Sequence, residues 1–145
     1  MFDFLTIARA LGDENRVRIL MALRQRKLCV CQITAFLDLA PSTTSKHLSI
    51  LRQSRLIESS KQGRWVYYHL AASGLPVPVL HALRWMQISL ADDPVISRDE
   101  TRIAEILRAE AACGLDGDTS CYHSLEVHML DQNIVQDAGE APSHD

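Results

Sequence analysis

Pro41-Ser42-Thr43-Thr44-Ser45-Lys46-His47-Leu48-Ser49-Ile50-Leu51-Arg52-Gln53 is the stretch whose reading decides the fold. Pro41 suits the first position of a helix, where its missing N–H would have no partner in any case. Leu48 and Leu51, three residues apart, turn inward together. The remaining faces carry Ser42, Thr43, Thr44, Lys46, His47, Ser49 and Arg52. Short hydroxyl side chains can approach base edges, and the cationic ones can meet phosphates. Taken alone, the same composition also describes an ordinary solvated helix face, so the neighbouring segments have to decide.

Upstream, Asp38-Leu39-Ala40 makes a tight connection to a short helix expected from Cys29 to Phe36. Downstream, Leu56-Ile57-Glu58-Ser59 and Trp65-Val66-Tyr67-Tyr68-His69-Leu70 flank Lys61-Gln62-Gly63-Arg64, the pattern of a hairpin closed by a glycine turn. Lys61 and Arg64 then stand at its tip, where they can lie along the minor groove or the backbone of a duplex. Two short helices joined by a tight turn and followed by a basic hairpin define a winged helix-turn-helix, a mostly α fold with a small β-hairpin.

Farther out, Phe4, Ala8 and Leu11 share one face of an opening helix. Gly12 ends that helix, and Asp13 caps a second one through Val17, Leu20, Met21 and Arg24. Beyond Gly74-Leu75-Pro76-Val77-Pro78, residues Val79, Leu83, Met86 and Leu90 form an apolar stripe at helical spacing. That stripe either packs within the chain or meets a second copy. Ala91-Asp92-Asp93-Pro94 stops the helix, and Ser97 with Glu100 reads as a capping box opening another, which ends near Cys113-Gly114. The expected organisation is a DNA-binding and dimerisation domain over residues 1–94. An acidic extension over 95–145 follows, with one helix and a loose tail.

Charge divides along the same line. The net charge of −3 conceals a surplus of six positive charges from Met1 to Leu70 and of nine negative charges from Ala71 onward. A basic front half fits a polyanion partner, here double-stranded DNA. With 47% hydrophobic and 23% charged residues the composition is that of a globular protein. No apolar run is long enough to span a bilayer. The N-terminal segment carries an acid and has no basic leader before an apolar block, so the expected compartment is the cytoplasm. A Gly-rich pocket loop, a Ser/His/Asp set and paired catalytic carboxylates are all missing, which argues against an enzyme.

Cytoplasmic cysteines read as thiols, since that compartment keeps structural disulfides reduced. Cys29-Val30-Cys31 forms a close pair beside Arg26 and Lys27, and Cys113 and Cys121 lie far along the chain. Thiolate is a soft donor suited to soft ions. The two cations and a helix N-terminus are expected to favour the thiolate form. Residues two apart on an ideal helix diverge by about 200°, so the pair could share one ion only if the helix start distorts. Cys121-Tyr122-His123 with His128 is a weaker candidate metal clip in the tail.

Ala8-Arg9-Ala10-Leu11-Gly12-Asp13-Glu14-Asn15-Arg16-Val17-Arg18-Ile19-Leu20, Ser42-Thr43-Thr44-Ser45-Lys46-His47-Leu48-Ser49-Ile50-Leu51 and Gly63-Arg64-Trp65-Val66-Tyr67-Tyr68 closely resemble the ArsR/SmtB repressors, and the motifs occur in the family's order. The likeness runs from about Phe4 to Leu90. It implies a homodimer joined by the first helix and by the helix near Val79 to Leu90, bound to an inverted-repeat operator. Leu28-Cys29-Val30-Cys31 is similar to the arsenic- and cadmium-sensing branches, which makes As(III) the expected inducer. Sb(III) or a soft divalent ion such as Cd(II), Pb(II) or Zn(II) is the alternative, as is a thiol-redox or persulfide signal on the same fold. The sequence departs from the arsenic pattern at Thr34, where a third cysteine is expected, and it lacks the N-terminal cysteines of the cadmium/lead branch. The third sulfur that As(III) favours must then come from Cys113 or Cys121, in the same or the other subunit, or from an exogenous thiol or hydroxide. The late-helix zinc site of the family has no counterpart, because His81 stands alone and reads as structural.

Overall fold

The computed structural model describes residues 1–115, with nine elements. They are α1 (Phe2–Leu11), α2 (Glu14–Ala22), β1 (Leu28–Cys29), α3 (Val30–Leu37), α4 (Pro41–Gln53), β2 (Ile57–Gln62), β3 (Trp65–Leu70), α5 (Val77–Ser89) and α6 (Pro94–Leu115). The expected tail, with Cys121 and His128, lies outside the described residues.

Local chemistry sets most of the boundaries. Asp13 accepts a hydrogen bond from the Arg16 backbone N–H at 3.1 Å and so caps α2. Asp38 closes α3 in the left-handed conformation, φ 55°, which a short polar side chain tolerates better than most. Pro41 then opens α4 as expected. The hairpin loop is Gly63-Arg64, since Gln62 pairs with Trp65, and Gly63 takes the positive φ of 63° that its first position requires.

The winged helix-turn-helix is present, with one addition. The sheet has three strands in the order β1-β3-β2, because Leu28 and Cys29 pair with Tyr68 and Tyr67 on the far side of β3. A two-residue strand leaves no period-2 signature, so it was invisible beside the helix that follows it.

One core joins every helix. Ile19, Leu20 and Met21 of α2 meet Ile33 and Phe36 of α3, Leu48 and Leu51 of α4, and Leu28, Leu56 and Tyr68 of the sheet region. Val79, Leu83 and Met86 of α5 are buried in the same cluster, at 3–5% exposure, so the expected dimer stripe faces its own chain. The exposed apolar side chains of α5 are instead Val77, Leu80, Trp85 and Ile88. On α1 the expected inward face is likewise displaced. Ile7 and Ala10 are buried, whereas Phe4 is 69% exposed and Ala8 is exposed. His81, read as structural, is an exposed residue of α5.

The division expected after residue 94 does not coincide with a break in packing. Ile96 and Ile103 of α6 belong to the core, and the helix lies on α2 and α3. Pro94 starts this helix, and Asp93 Oδ1 accepts from the Val95 N–H at 2.8 Å. The cap is therefore Asp93 rather than Ser97, and Glu100 is free to serve elsewhere. Its carboxylate takes Arg26 at 2.6 Å and Arg24 at 3.5 Å. Buried Asp99 holds Arg18 through two bonds of 2.8 Å, and this hydrogen-bonded carboxylate raises the Arg18 pKa against the opposing effect of desolvation.

Candidate nucleic-acid interface and thiol centre

Ser42, Thr43, Lys46, Ser49 and Arg52 are exposed on α4, and Lys61 and Arg64 are exposed at the hairpin tip. These are the side chains that a duplex laid across α4 and the wing can reach. Thr44 is a correction: it is fully buried, with its hydroxyl 3.4 Å from the Ala40 carbonyl, which it donates to. A buried threonine that completes the helix start cannot touch a base. His47 is a second correction. Its Nδ1 lies 3.4 Å from Arg16 Nη1 and 3.8 Å from Asp13, and its side chain is only 12% exposed. Arg16 in turn donates to the carbonyls of Ala10 and Arg9 at 2.8 Å. His47 thus connects α4 to α1 and α2 rather than reading sequence. Both misplacements have one cause. Positions 44, 47, 48 and 51 follow helical spacing, so a polar residue at 44 or 47 shares the side that Leu48 and Leu51 bury.

The thiol pair has an unexpected setting. Cys29 is not inside a helix: it ends β1 and is the N-cap of α3, with extended backbone at φ −84° and ψ 167°. Cys31 is the second residue of that helix. The divergence expected of two helical positions therefore does not apply, because one sulfur comes from a strand end. Both residues are 8% exposed, and neither is in a disulfide.

Gln32 builds the junction. In a capping-box arrangement the Cys29 side chain accepts from the Gln32 backbone N–H, while Gln32 Oε1 accepts from the Cys29 N–H at 3.0 Å. The other end of the same carboxamide donates to Glu110 of α6 at 2.6 Å. The expected cation next to the thiols is diverted, since Arg26 is held by Glu100, and Lys27 is exposed. Thr34 follows Cys31 by one turn, and its Oγ1 is buried with no hydrogen-bond partner among the described residues. Cys113 lies on α6, three positions beyond Glu110.

Two thiols in one buried junction suit a soft ion. Among the described residues no group of three His, Cys, Asp or Glu could hold a metal ion, and Cys29 and Cys31 are the two free thiols at this junction. No helix among these residues is long and apolar enough to cross a membrane.

A tight helix pair with an exposed polar reading helix, next to a hairpin with a basic tip, defines the molecule as a winged helix-turn-helix DNA-binding protein. The sequence profile of the arsR family of bacterial regulatory proteins matches residues 13–59, which covers α2 through the start of β2. The arsenic resistance transcriptional regulator ArsR1 of Pseudomonas putida is 32% identical over 106 residues, 69% of this chain and 77% of that protein. The cadmium resistance transcriptional regulatory protein CadC of Listeria innocua is 41% identical over 63 residues, 43% of this chain and 53% of that protein. A homodimeric winged helix-turn-helix DNA-binding domain from Mycobacterium bovis superposes with a TM-score of 0.53 at 23% identity, covering 63% of this chain and 82% of that one. The fold is thereby shared. The chain belongs to the arsR family of bacterial regulatory proteins and is a transcriptional regulator, not an enzyme.

Proposed function

We propose that this chain is a homodimeric repressor that binds operator DNA through α4 and the wing and releases it when As(III) is bound by Cys29 and Cys31. The observation that carries this reading is the position of the thiol pair at the joint between the wing sheet and the helix-turn-helix. Cys29 pairs with Tyr67 of β3, and Cys31 lies in the first turn of the helix that packs on α4.

Bound at this pair, a soft ion supplies an acceptor for two thiolate bonds. Everything else is done by the chain. Cys29 is anchored in the sheet, so an ion shared with Cys31 would swing the first turn of α3 about Cys29, which keeps its extended cap geometry. α4 follows α3, while Lys61 and Arg64 stay with the sheet. The reading helix and the wing then no longer present one surface to the duplex. Coupling of this kind is reciprocal: operator DNA weakens ion binding by the same factor. Emptying an almost fully occupied operator needs a preference of about 5.5 kcal/mol for the released state.

A third donor can come from Cys113 or Cys121, or from an exogenous thiol or hydroxide. The likeness to a cadmium regulator supports Cd(II) as a second inducer of the same site. The dimer rests on the apolar surface of Phe4 and Leu5 on α1 with Leu80, Trp85 and Ile88 on α5, two helices that lie in contact. Side chains of this size rarely stand together in water without a partner. A gel-shift titration of operator release against arsenite, Cd(II), Zn(II) and persulfide tests the reading. Release by arsenite at the lowest concentration supports it. Release by persulfide alone would overturn the metalloid assignment.

A further inference from the structure

The thiol junction is tied to a helix that the sequence placed outside the DNA-binding domain. One carboxamide does this: Gln32 accepts from the Cys29 N–H through Oε1 and donates from Nε2 to Glu110 of α6. The 2.6 Å bond to a carboxylate oxygen is a short one, and it fixes which way the amide points. With its nitrogen held by Glu110, the Gln32 oxygen must face Cys29. Were the amide free to rotate, its NH2 end could meet the Cys29 N–H and the capping box would be lost.

Three further contacts make α6 a rigid carrier for that carboxylate. Asp99 holds Arg18, Glu100 holds Arg26, and Arg102 donates to the Ala35 carbonyl at 3.2 Å. The contacts lie along α6 at positions 99, 100, 102 and 110, and they reach both α2 and α3.

Building on the proposed ion site, we infer that Gln32 and Glu110 are positioning residues of the thiol pair: α6, through the Gln32 carboxamide, holds Cys29 in the extended cap geometry from which both sulfurs bind one ion. Glu110 touches neither the ion nor DNA in this scheme. It acts by setting the backbone of a ligand, as outer partners of metal ligands do, and loss of such a partner typically lowers affinity by about 10- to 100-fold. α6 thereby governs inducer affinity separately from operator affinity.

Full-length wild type, Glu110→Ala, Glu110→Gln and Gln32→Ala proteins are titrated with Cd(II) and with arsenite, following the sulfur-to-ion absorption band. Operator affinity without ion and amide exchange of Cys29 are measured in parallel. Glu110→Ala and Gln32→Ala are expected to bind both ions about tenfold more weakly. Their Cys29 amide is expected to exchange faster, and the ion-free operator affinity of Glu110→Ala to match wild type. Glu110→Gln keeps an acceptor for Gln32 and is expected to recover most of the ion affinity. Wild-type ion affinity in Glu110→Ala would overturn the positioning role and leave the ion site standing. Absence of the absorption band in wild type itself would overturn both. A purely structural role would lower thermal stability and operator affinity together with ion affinity, which also contradicts the inference.

Discussion

Cys29 stands opposite Tyr67 across the β1–β3 pair while its own side chain caps α3, so one residue belongs to the wing sheet and to the helix-turn-helix at once. In the proposed scheme, a change at that point bears on both surfaces offered to DNA.

The wing is expected to supply charge rather than sequence reading. Lys61→Ala with Arg64→Ala is expected to weaken binding to all duplexes alike. The dependence of log affinity on log salt should flatten by about two phosphate contacts. Titration at several salt concentrations on operator and random DNA checks this. An unchanged slope would remove the wing from the interface.

Thr44 and Lys46 are expected to separate cleanly. Thr44 is buried and bonded to Ala40, so Thr44→Val should leave base preference unaltered and lower stability by about 1 kcal/mol, the worth of a typical hydrogen bond. Lys46 is exposed on the reading helix, and Lys46→Ala should weaken DNA binding with no loss of stability. Selection of preferred sites from a random duplex pool, with thermal melts alongside, distinguishes the two.

Much of this architecture was legible in the sequence, and the failures share a cause. Caps and turns are local, so Asp13, Pro41 and Gly63 could be assigned from neighbours a few residues away. Which apolar face of a helix turns inward is decided by what packs on it. α5 carries two apolar faces, Val79-Leu83-Met86 and Leu80-Trp85-Ile88, and only the fold tells which is buried. The role of α6 was hidden for the same reason. Asp99, Glu100 and Glu110 look like part of an acidic appendage until their partners Arg18, Arg26 and Gln32 appear about 74 to 81 residues earlier in the chain. The thiol pair was found by residue type, but its strand-to-helix setting was not, since β1 is too short to show a pattern.

The buried ion pair of α6 is expected to matter for stability. Asp99→Ala leaves Arg18 without its two strong bonds and is expected to cost about 2–3 kcal/mol. Chemical denaturation of the two proteins measures the difference. A loss below the precision of the extrapolation would mean that the Arg18–Asp99 pair contributes little to stability.

Assembly and folding are expected to respond to different faces of α5. Ile88→Asp, at a position 67% exposed, should give a folded monomer with low operator affinity. Leu83→Asp, 5% exposed, should instead unfold the chain, because it places a charge in the core. Sedimentation and circular dichroism report both. A dimeric Ile88→Asp protein would place the dimer surface elsewhere.

The central claim is that the Cys29–Cys31 pair switches DNA binding without taking part in it. Serine nearly matches cysteine in volume, and neither thiol lies on the exposed face of α4, so both single variants are expected to bind operator as wild type does. The direct measurement is operator release by arsenite from Cys29→Ser and from Cys31→Ser. The account predicts that each variant stays bound at arsenite concentrations that empty the wild-type complex. Normal release from either variant would contradict it.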